Sequence, residues 1–298
     1  MLHPLAFIQY PDLNPIIFRI GPLAVRWYGV AYLTGFALAY LWLRSMIRRG
    51  ILRITRDQLL DLIGWLIAGV MIGGRTGWWL FYHRPGLLPG PGEPWYEPIA
   101  VWHGGMSFHG GLMGVGIALG VWSWLFEAPG WNIADCAALV TPIGLCLGRI
   151  ANFINHELVG TPSNLPWAVL FPGYSQPRHP SQIYEAILEG PILLAILWLC
   201  RRLFHPREGR IAALFLIWYG ILRFLVEFTR QPDAQLGYLH FGWLTRGQEL
   251  SVLLLLVGVA IWIYLGYRPA PAPVAVVSAP AASPSPKPAK KQTQRSKR

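Results

Sequence analysis

This sequence predicts an all-α membrane protein with seven transmembrane helices, and three observations carry that prediction. Hydrophobic residues fill 54% of the 298 positions and charged ones only 13%, a balance foreign to soluble domains and to disordered chains alike. Seven apolar segments each reach about 20 residues, the length a helix needs to cross a hydrocarbon core of about 30 Å. The basic residues cluster in short connections between those segments, as membrane orientation requires.

The segments run approximately over Pro22–Leu43, Leu59–Tyr82, Phe108–Phe126, Ile133–Ile150, Gln182–Cys200, Ile211–Phe228 and Gln248–Tyr267. Residues 1–21 precede them as an amphipathic lead-in in which Pro4, Pro11 and Pro15 limit any helix. They carry no basic stretch, apolar core and cleavage site in succession, so they do not read as a signal peptide. Arg44, Arg48, Arg49, Arg53 and Arg56 lie between spans one and two, and Arg201, Arg202, Arg207 and Arg210 between spans five and six. With Lys287, Lys290, Lys291, Arg295, Lys297 and Arg298 they fall on one side of a seven-span arrangement, which makes that side cytoplasmic and the N-terminus periplasmic. Residues 268–298 alternate Pro, Ala and Ser before turning basic, a composition that cannot bury a core; they read as a disordered cytoplasmic tail.

The net charge of +11 is assigned to this orientation, and no nucleic-acid partner is expected. Cys136, Cys146 and Cys200 sit inside apolar runs without metal-ligand spacing, so neither a disulfide nor a metal site is expected. No internal repeat supports an inverted-repeat transporter.

Polar groups inside apolar runs mark the candidate site. Directly after the fourth run, Gly148 to Gly160 gathers Arg149, Asn152, Asn155, His156 and Glu157. An Arg or Glu at membrane depth costs about 2.5 to 3.5 kcal/mol on insertion scales, so it points to function unless a boundary loop with a snorkelling Arg accounts for it. Arg26-Trp27-Tyr28-Gly29 puts a cation and a phenol at the outer end of span one, as an aromatic-belt anchor or as part of a site. Gly73-Gly74-Arg75-Thr76-Gly77 sets an Arg that needs an anionic partner among glycines suited to close helix packing. His109, beside Gly110 and Gly111 at the start of span three, suits a general base near neutral pH or a satisfied interfacial histidine. Arg178 to Glu185 leads into span five, with helix capping explaining only part of its polarity. In span six, Tyr219, Arg223 and Glu227 share one helix face, and the last two can pair, structurally or within a site. Arg149 and Arg223, arriving from two helices, would form a fork for a phosphate, and a phospholipid headgroup is the phosphate most available there.

The stretch Gly148 to Gly160 resembles the signature of the bacterial prolipoprotein diacylglyceryl transferase family. Arg26 to Gly29, Gly105 to Gly111, His179 to Glu185 and Tyr219 to Gln235 support the resemblance in the family's order. It implies a seven-helix membrane body with a small periplasmic cap, resident in the inner membrane. It implies transfer of the diacylglyceryl group of phosphatidylglycerol to the lipobox cysteine of prolipoproteins, giving a thioether and glycerol 1-phosphate without cofactor or metal. Carried over residue by residue, the family's important positions are Tyr28, His109, Arg149, Asn152, Glu157, Gly160, Tyr219, Arg223, Glu227 and Arg230. Of these His109, Arg149, Arg223 and Glu227 are expected to be catalytic, and Tyr28, Asn152, Glu157, Gly160, Tyr219 and Arg230, together with Asn155, to bind substrate. His103, His156 and Thr245-Arg246-Gly247-Gln248 depart from the family pattern without removing any of these. A phospholipid transporter or flippase is the alternative; an intramembrane peptidase lacks its catalytic constellation.

Overall fold

The computed structural model describes residues 7–21, 23–83, 89–90, 92–232, 237–239 and 241–267. Residues 268–298, expected to form the basic tail, and residues 233–235 of the last family motif lie outside the described residues.

Helices dominate. In order they are α1 (Trp27–Arg48), α2 (Arg56–Phe81), α3 (Phe108–Leu125), α4 (Gly130–Ile154), α5 (Ser181–Ile187), α6 (Leu193–Phe204), α7 (Arg210–Glu227) and α8 (Arg246–Tyr267). A π-helical turn, Leu188–Ile192, joins α5 to α6, so the two form one continuous span, Ser181–Phe204. Among the described residues six helices, that span included, are long and apolar enough to cross a bilayer. The predicted sixth span, α7, is not among them: its 18 residues include Arg210, Arg223 and Glu227.

The chain is not purely helical. Strands β1 (Ile8–Gln9) and β4 (Val169–Leu170) pair in parallel, and β2 (Ile16–Ile20) and β3 (Leu23–Arg26) form an antiparallel hairpin. The first span therefore starts at Trp27, not Pro22. Leu23 to Val25, before Arg26, are as apolar as the helix that follows, and the boundary is set by hydrogen bonds: the chain turns at Gly21, φ +58°, and Trp27 N–H donates to the Pro15 carbonyl at 3.2 Å. The fourth span runs four residues beyond its predicted end, so Ala151 to Ile154 are helix and Asn155 is the C-cap.

Two packing devices fix the body. Gly69, Gly73 and Gly77 of α2 face Gly110, Gly114 and Ala118 of α3, backbone against backbone: a Cβ on Gly114 would stand 2.0 Å from the Gly69 carbonyl oxygen. Small residues four apart are how helices approach closely where no hydrophobic drive exists between them. On the other side, Gly220 of α7 lies against the Ser251 carbonyl of α8, and Gly258 of α8 against Ile217 of α7. At the far end of α7, Asp135 of α4 accepts hydrogen bonds from Gly209 N–H and Ala212 N–H, both 2.8 Å, and so caps α7 from a neighbouring helix.

Arg75 finds its anionic partner. It is buried, pairs with Glu97 Oε1 at 3.1 Å, and donates to the carbonyls of Glu97, Pro98 and Gly104. It ties α2 to the loop that leads into His109, so the structural reading accounts for it. His103 Nδ1 meets the other carboxylate oxygen of Glu97 at 2.8 Å, and with Arg75 it holds that carboxyl below its usual pKa.

Candidate active site

Four helical segments converge on one buried ion cluster. Arg149, in the last turns of α4, sits opposite Glu185 on α5 and Glu189 in the π turn; its Nη1 meets Glu185 Oε2 at 2.7 Å and its Nε meets Glu189 Oε2 at 3.1 Å. Arg223 of α7 meets Glu227 Oε2 at 2.5 Å, one helical turn along, and the same two carboxylates at 3.6 and 3.7 Å. The fold brings Arg149 and Arg223 together, with Glu185 and Glu189 between them.

Glu185 is 1% exposed, Glu189 0%, Arg223 4% and Glu227 6%. Charges this buried persist only when paired, and removing one partner of such a pair costs about 3 to 5 kcal/mol. Glu227 is held at three points: Arg223, Arg230 Nη1 at 4.0 Å, and the Thr245 hydroxyl, which donates to Oε1 at 2.9 Å. Thr245 is at the same time the helix cap of α8, its Oγ1 accepting from Gln248 N–H at 3.2 Å. Gly247 leaves room for the carboxylate, since a Cβ there would stand 2.6 Å from Glu227 Oε1.

The loop after α4 closes one flank. Asn152 is buried and donates to Glu157 Oε2 at 3.1 Å, while Gln182 of α5 donates to the Glu157 carbonyl at 2.6 Å. His156 and Leu158 take the left-handed conformation, both at φ +57°, which turns the chain tightly enough to bring Gly160 beside Arg230. A Cβ on Gly160 would stand 2.4 Å from the His179 carbonyl and 2.6 Å from that of Thr229, so only glycine fits. Tyr10, on the N-terminal segment, donates to the Phe153 carbonyl at 3.2 Å and packs edge-on against His156, locking this loop from outside. Burial there raises the Tyr10 pKa.

The remaining predicted residues stand around the cluster. Tyr219 is fully buried one turn before Arg223 and is sandwiched by Phe215 and Phe108. His109, in the first turn of α3, touches the other edge of Phe108 and lies within electrostatic reach of Arg223, Glu227 and Arg149. Ser107 caps that turn by accepting from Gly110 N–H at 3.2 Å. Tyr28, at the start of α1, accepts from the Tyr32 hydroxyl at 3.4 Å, and Tyr32 in turn lies within electrostatic reach of Arg149 and Glu157. Asn155 lies in the same loop, with its Oδ1 buried.

Glu189 is the member of this cluster that the sequence does not bring forward, while Glu185 and Thr245 stand there only within longer stretches and without a role of their own. A signal existed for Glu189: it is a lone carboxylate within the apolar run Ala186 to Leu199.

The His109 Nε2 and Tyr219 Oη atoms are buried without a hydrogen-bond partner among the described residues, and so is Glu189 Oε1 despite its distant ion pair with Arg223. Unsatisfied buried polar atoms are rare in native structures, and several in one place mark where a ligand's own polar groups belong. The chemistry on offer is a basic pair for an anion, an imidazole that can donate or accept a hydrogen bond, and amides and hydroxyls for glycerol oxygens.

Residues 15–264 match the family model of prolipoprotein diacylglyceryl transferase. The chain is 46% identical over 264 residues to the phosphatidylglycerol–prolipoprotein diacylglyceryl transferase of Rhizobium meliloti (strain 1021), covering 86% of this chain and 93% of that protein. It is similarly 46% identical over 257 residues to the protein of that name from Pseudomonas aeruginosa (strain LESB58), covering 85% and 94%. A Legionella pneumophila (strain Lens) relative of the same name is 45% identical over 253 residues, covering 85% and 97%.

Proposed function

The chain belongs to the prolipoprotein diacylglyceryl transferase family, and from that premise we propose how its buried cluster performs the transfer. The substrates are phosphatidylglycerol and prolipoproteins, the setting is the inner membrane, and the step belongs to lipoprotein maturation. The observation that carries the mechanism is the pair of arginines, Arg223 buried and Arg149 partly buried, bridged by shared carboxylates.

The lipobox thiol attacks the glycerol carbon that carries the phosphate. A sulfur–carbon bond forms, the carbon–oxygen bond to phosphate breaks, and the electron pair leaves on the phosphate oxygen as glycerol 1-phosphate. A thiol of pKa about 8.5 is mostly protonated at neutral pH, so a base speeds the attack. His109 Nε2 takes the proton. Charge grows on the departing phosphate, where Arg149 and Arg223 stabilise it in a partly dry site. Their carboxylate partners hold both guanidiniums in place beforehand, which removes reorganisation from the barrier. Glu227 orients Arg223 and is itself oriented by Thr245 and Arg230. Asn152, Asn155, Glu157, Tyr28 and Tyr219 meet the headgroup and glycerol oxygens, and Gly160 keeps the backbone close to Arg230.

In the same reading α7 is a seventh span. Its charged groups are compensated within the protein: Arg223 and Glu227 by the cluster, and Arg210 by stacking on Trp262 with 4.6 Å between guanidinium carbon and ring centroid. The loops beside Arg149 then form a small periplasmic cap, with the N-terminus periplasmic and residues 268–298 a cytoplasmic basic tail. Such a tail agrees with the positive-inside bias of the Arg44 to Arg56 and Arg201 to Arg210 connections.

The test is purified protein mixed with phosphatidylglycerol carrying labelled acyl chains and a lipobox peptide, read by mass spectrometry. A diacylglyceryl thioether together with released glycerol phosphate is the expected result. Intact lipid and unmodified peptide from folded protein would refute it. Movement of unconsumed lipid between leaflets would instead identify a transporter.

A further inference from the structure

We infer that Glu189 is a positioning residue that holds Arg149 and Arg223 at a fixed spacing and, through its charge, limits how tightly they retain a phosphate. The inference rests on the reading of those two arginines as a phosphate clamp.

Three observations meet at this residue. The first is the break in the span. The turn Leu188–Ile192 is π-helical, Gly190 leaves helical geometry at φ −96°, ψ −106°, and Pro191 follows. Single π turns of this kind recur at functional sites because they redirect one side chain without ending the helix. Gly190 lies directly on α4: a Cβ there would stand 2.6 Å from the Cβ of Cys146, one turn before Arg149. The break therefore brings Glu189 to the level of Arg149.

The second is the bridge itself. Glu189 Oε2 accepts from Arg149 Nε at 3.1 Å, while Oε1 stands 3.7 Å from Arg223 Nε and has no hydrogen-bond partner among the described residues. One arm is tight and the other loose. A fully buried carboxylate thus spans the gap between two helices and sets the distance between their cations.

The third is charge. Glu185, Glu189 and Glu227 face Arg149, Arg223 and Arg230, three carboxylates against three guanidiniums. A phosphodiester brings one further negative charge. The departing monoester, whose second pKa is about 6, brings close to two. Removing the charge of Glu189 therefore favours the product more than the substrate, because Coulomb energy is linear in the ligand's charge. The effect on a dianion should be about the square of that on a monoanion. In the native protein Glu189 then opposes trapping of the product.

The experiment compares native protein with Glu189→Gln and Glu189→Asp in detergent with phosphatidylglycerol and a lipobox peptide, using two soluble inhibitors. These are diethyl phosphate, a monoanion, and glycerol 1-phosphate, mostly dianionic at pH 8. For Glu189→Gln the diester should inhibit about threefold more tightly and the monoester about tenfold, with kcat reduced. Glu189→Asp keeps the charge and retracts it by one methylene. Both inhibition constants should stay within about twofold of native while kcat falls at least about tenfold. An unchanged monoester constant in Glu189→Gln overturns the inference, as does native kcat in Glu189→Asp. If Glu189→Gln does not fold, Glu189→Asp decides alone. Failure of the clamp is a separate result: glycerol 1-phosphate would then inhibit Arg223→Ala and native protein alike, or neither of them.

Discussion

The ion pair of Arg223 with Glu227 admits a structural reading and a catalytic one, and paired substitutions separate them. Replacing Arg223 by Met removes three ionic contacts, at 2.5 Å to Glu227, 3.6 Å to Glu185 and 3.7 Å to Glu189. Glu185 and Glu189 keep Arg149, and Glu227 keeps the Thr245 hydroxyl and the more distant Arg230. The principal loss is therefore at Glu227, and leaving one buried charge unpaired costs about 3 to 5 kcal/mol. If Arg223 also stabilises charge on the departing phosphate, turnover falls by a further factor of about 10² to 10³, the usual effect of one lost electrostatic donor.

Adding Glu227→Met removes the stranded carboxylate. Replacing both members of a buried pair by apolar side chains of similar volume is often neutral, so most of the lost stability should return. Activity should not. The assay is thioether formation in detergent at saturating lipid, with the thermal midpoint measured on the same preparations. A double variant that regains both stability and turnover would refute the catalytic role and reduce the pair to a strut.

Thr245→Val loses the α8 cap, worth about 1 kcal/mol, and the hydrogen bond to Glu227, worth about 1.5 to 3 kcal/mol. Thr245→Ser keeps both and should match native kcat, so equal kcat in Val and Ser variants would count against the relay through Glu227. Gly114→Ala forces α2 and α3 apart and should lower stability by about 1 to 3 kcal/mol or more. Gly116→Ala, where a Cβ meets nothing within 4 Å, should be neutral or mildly stabilising, so equal thermal midpoints would refute the packing account. Glu97 has a carboxyl pKa lowered by His103 and Arg75, so its ordering of residues 97–105 is fully present above its unfolded value of 4.5 and is lost as pH falls below that. Protection of this loop against hydrogen exchange, relative to the intrinsic rate at each pH, should fall in that window in native protein, while in Glu97→Gln it should be low already at neutral pH. His109→Gln should lower kcat at saturating lipid and peptide. Native turnover in that variant would transfer the base role elsewhere and leave the arginine clamp intact.

Much of the site is legible because charge stands out against an apolar background. Arg149, Arg223 and Glu227 announce themselves in this way, and the spacing of the last two states their partnership. What the spacing could not state is the partner of Arg149, which lies 40 residues away across a loop. Glu189 carries the same kind of signal as the arginines, a lone charge in a run of aliphatic residues. Its role is not legible there, because no spacing along one helix face ties it to either arginine. The hairpin before α1 was hidden for a different reason: an apolar strand and an apolar helix look alike in composition. Only the turn at Gly21 and the path of the Trp27 hydrogen bond distinguish them.

The arrangement of packing explains why the cluster can be so charged. The glycine contacts of α2 with α3, and of α7 with α8, lock two helix pairs by backbone contact. The cluster lies where α4 and the broken fifth span meet α7, with the entrance to α3 and the cap of α8 at its edges. Each side chain therefore comes from an element whose position is fixed by apolar packing elsewhere. That separation matters energetically. A buried salt bridge is a weak source of stability because desolvation offsets most of its Coulomb gain. The glycine seams and the aliphatic core can supply the stability instead, and the cluster is then free to be shaped for its ligand. The prediction that Arg223→Met with Glu227→Met recovers stability but not activity is the direct consequence of this division.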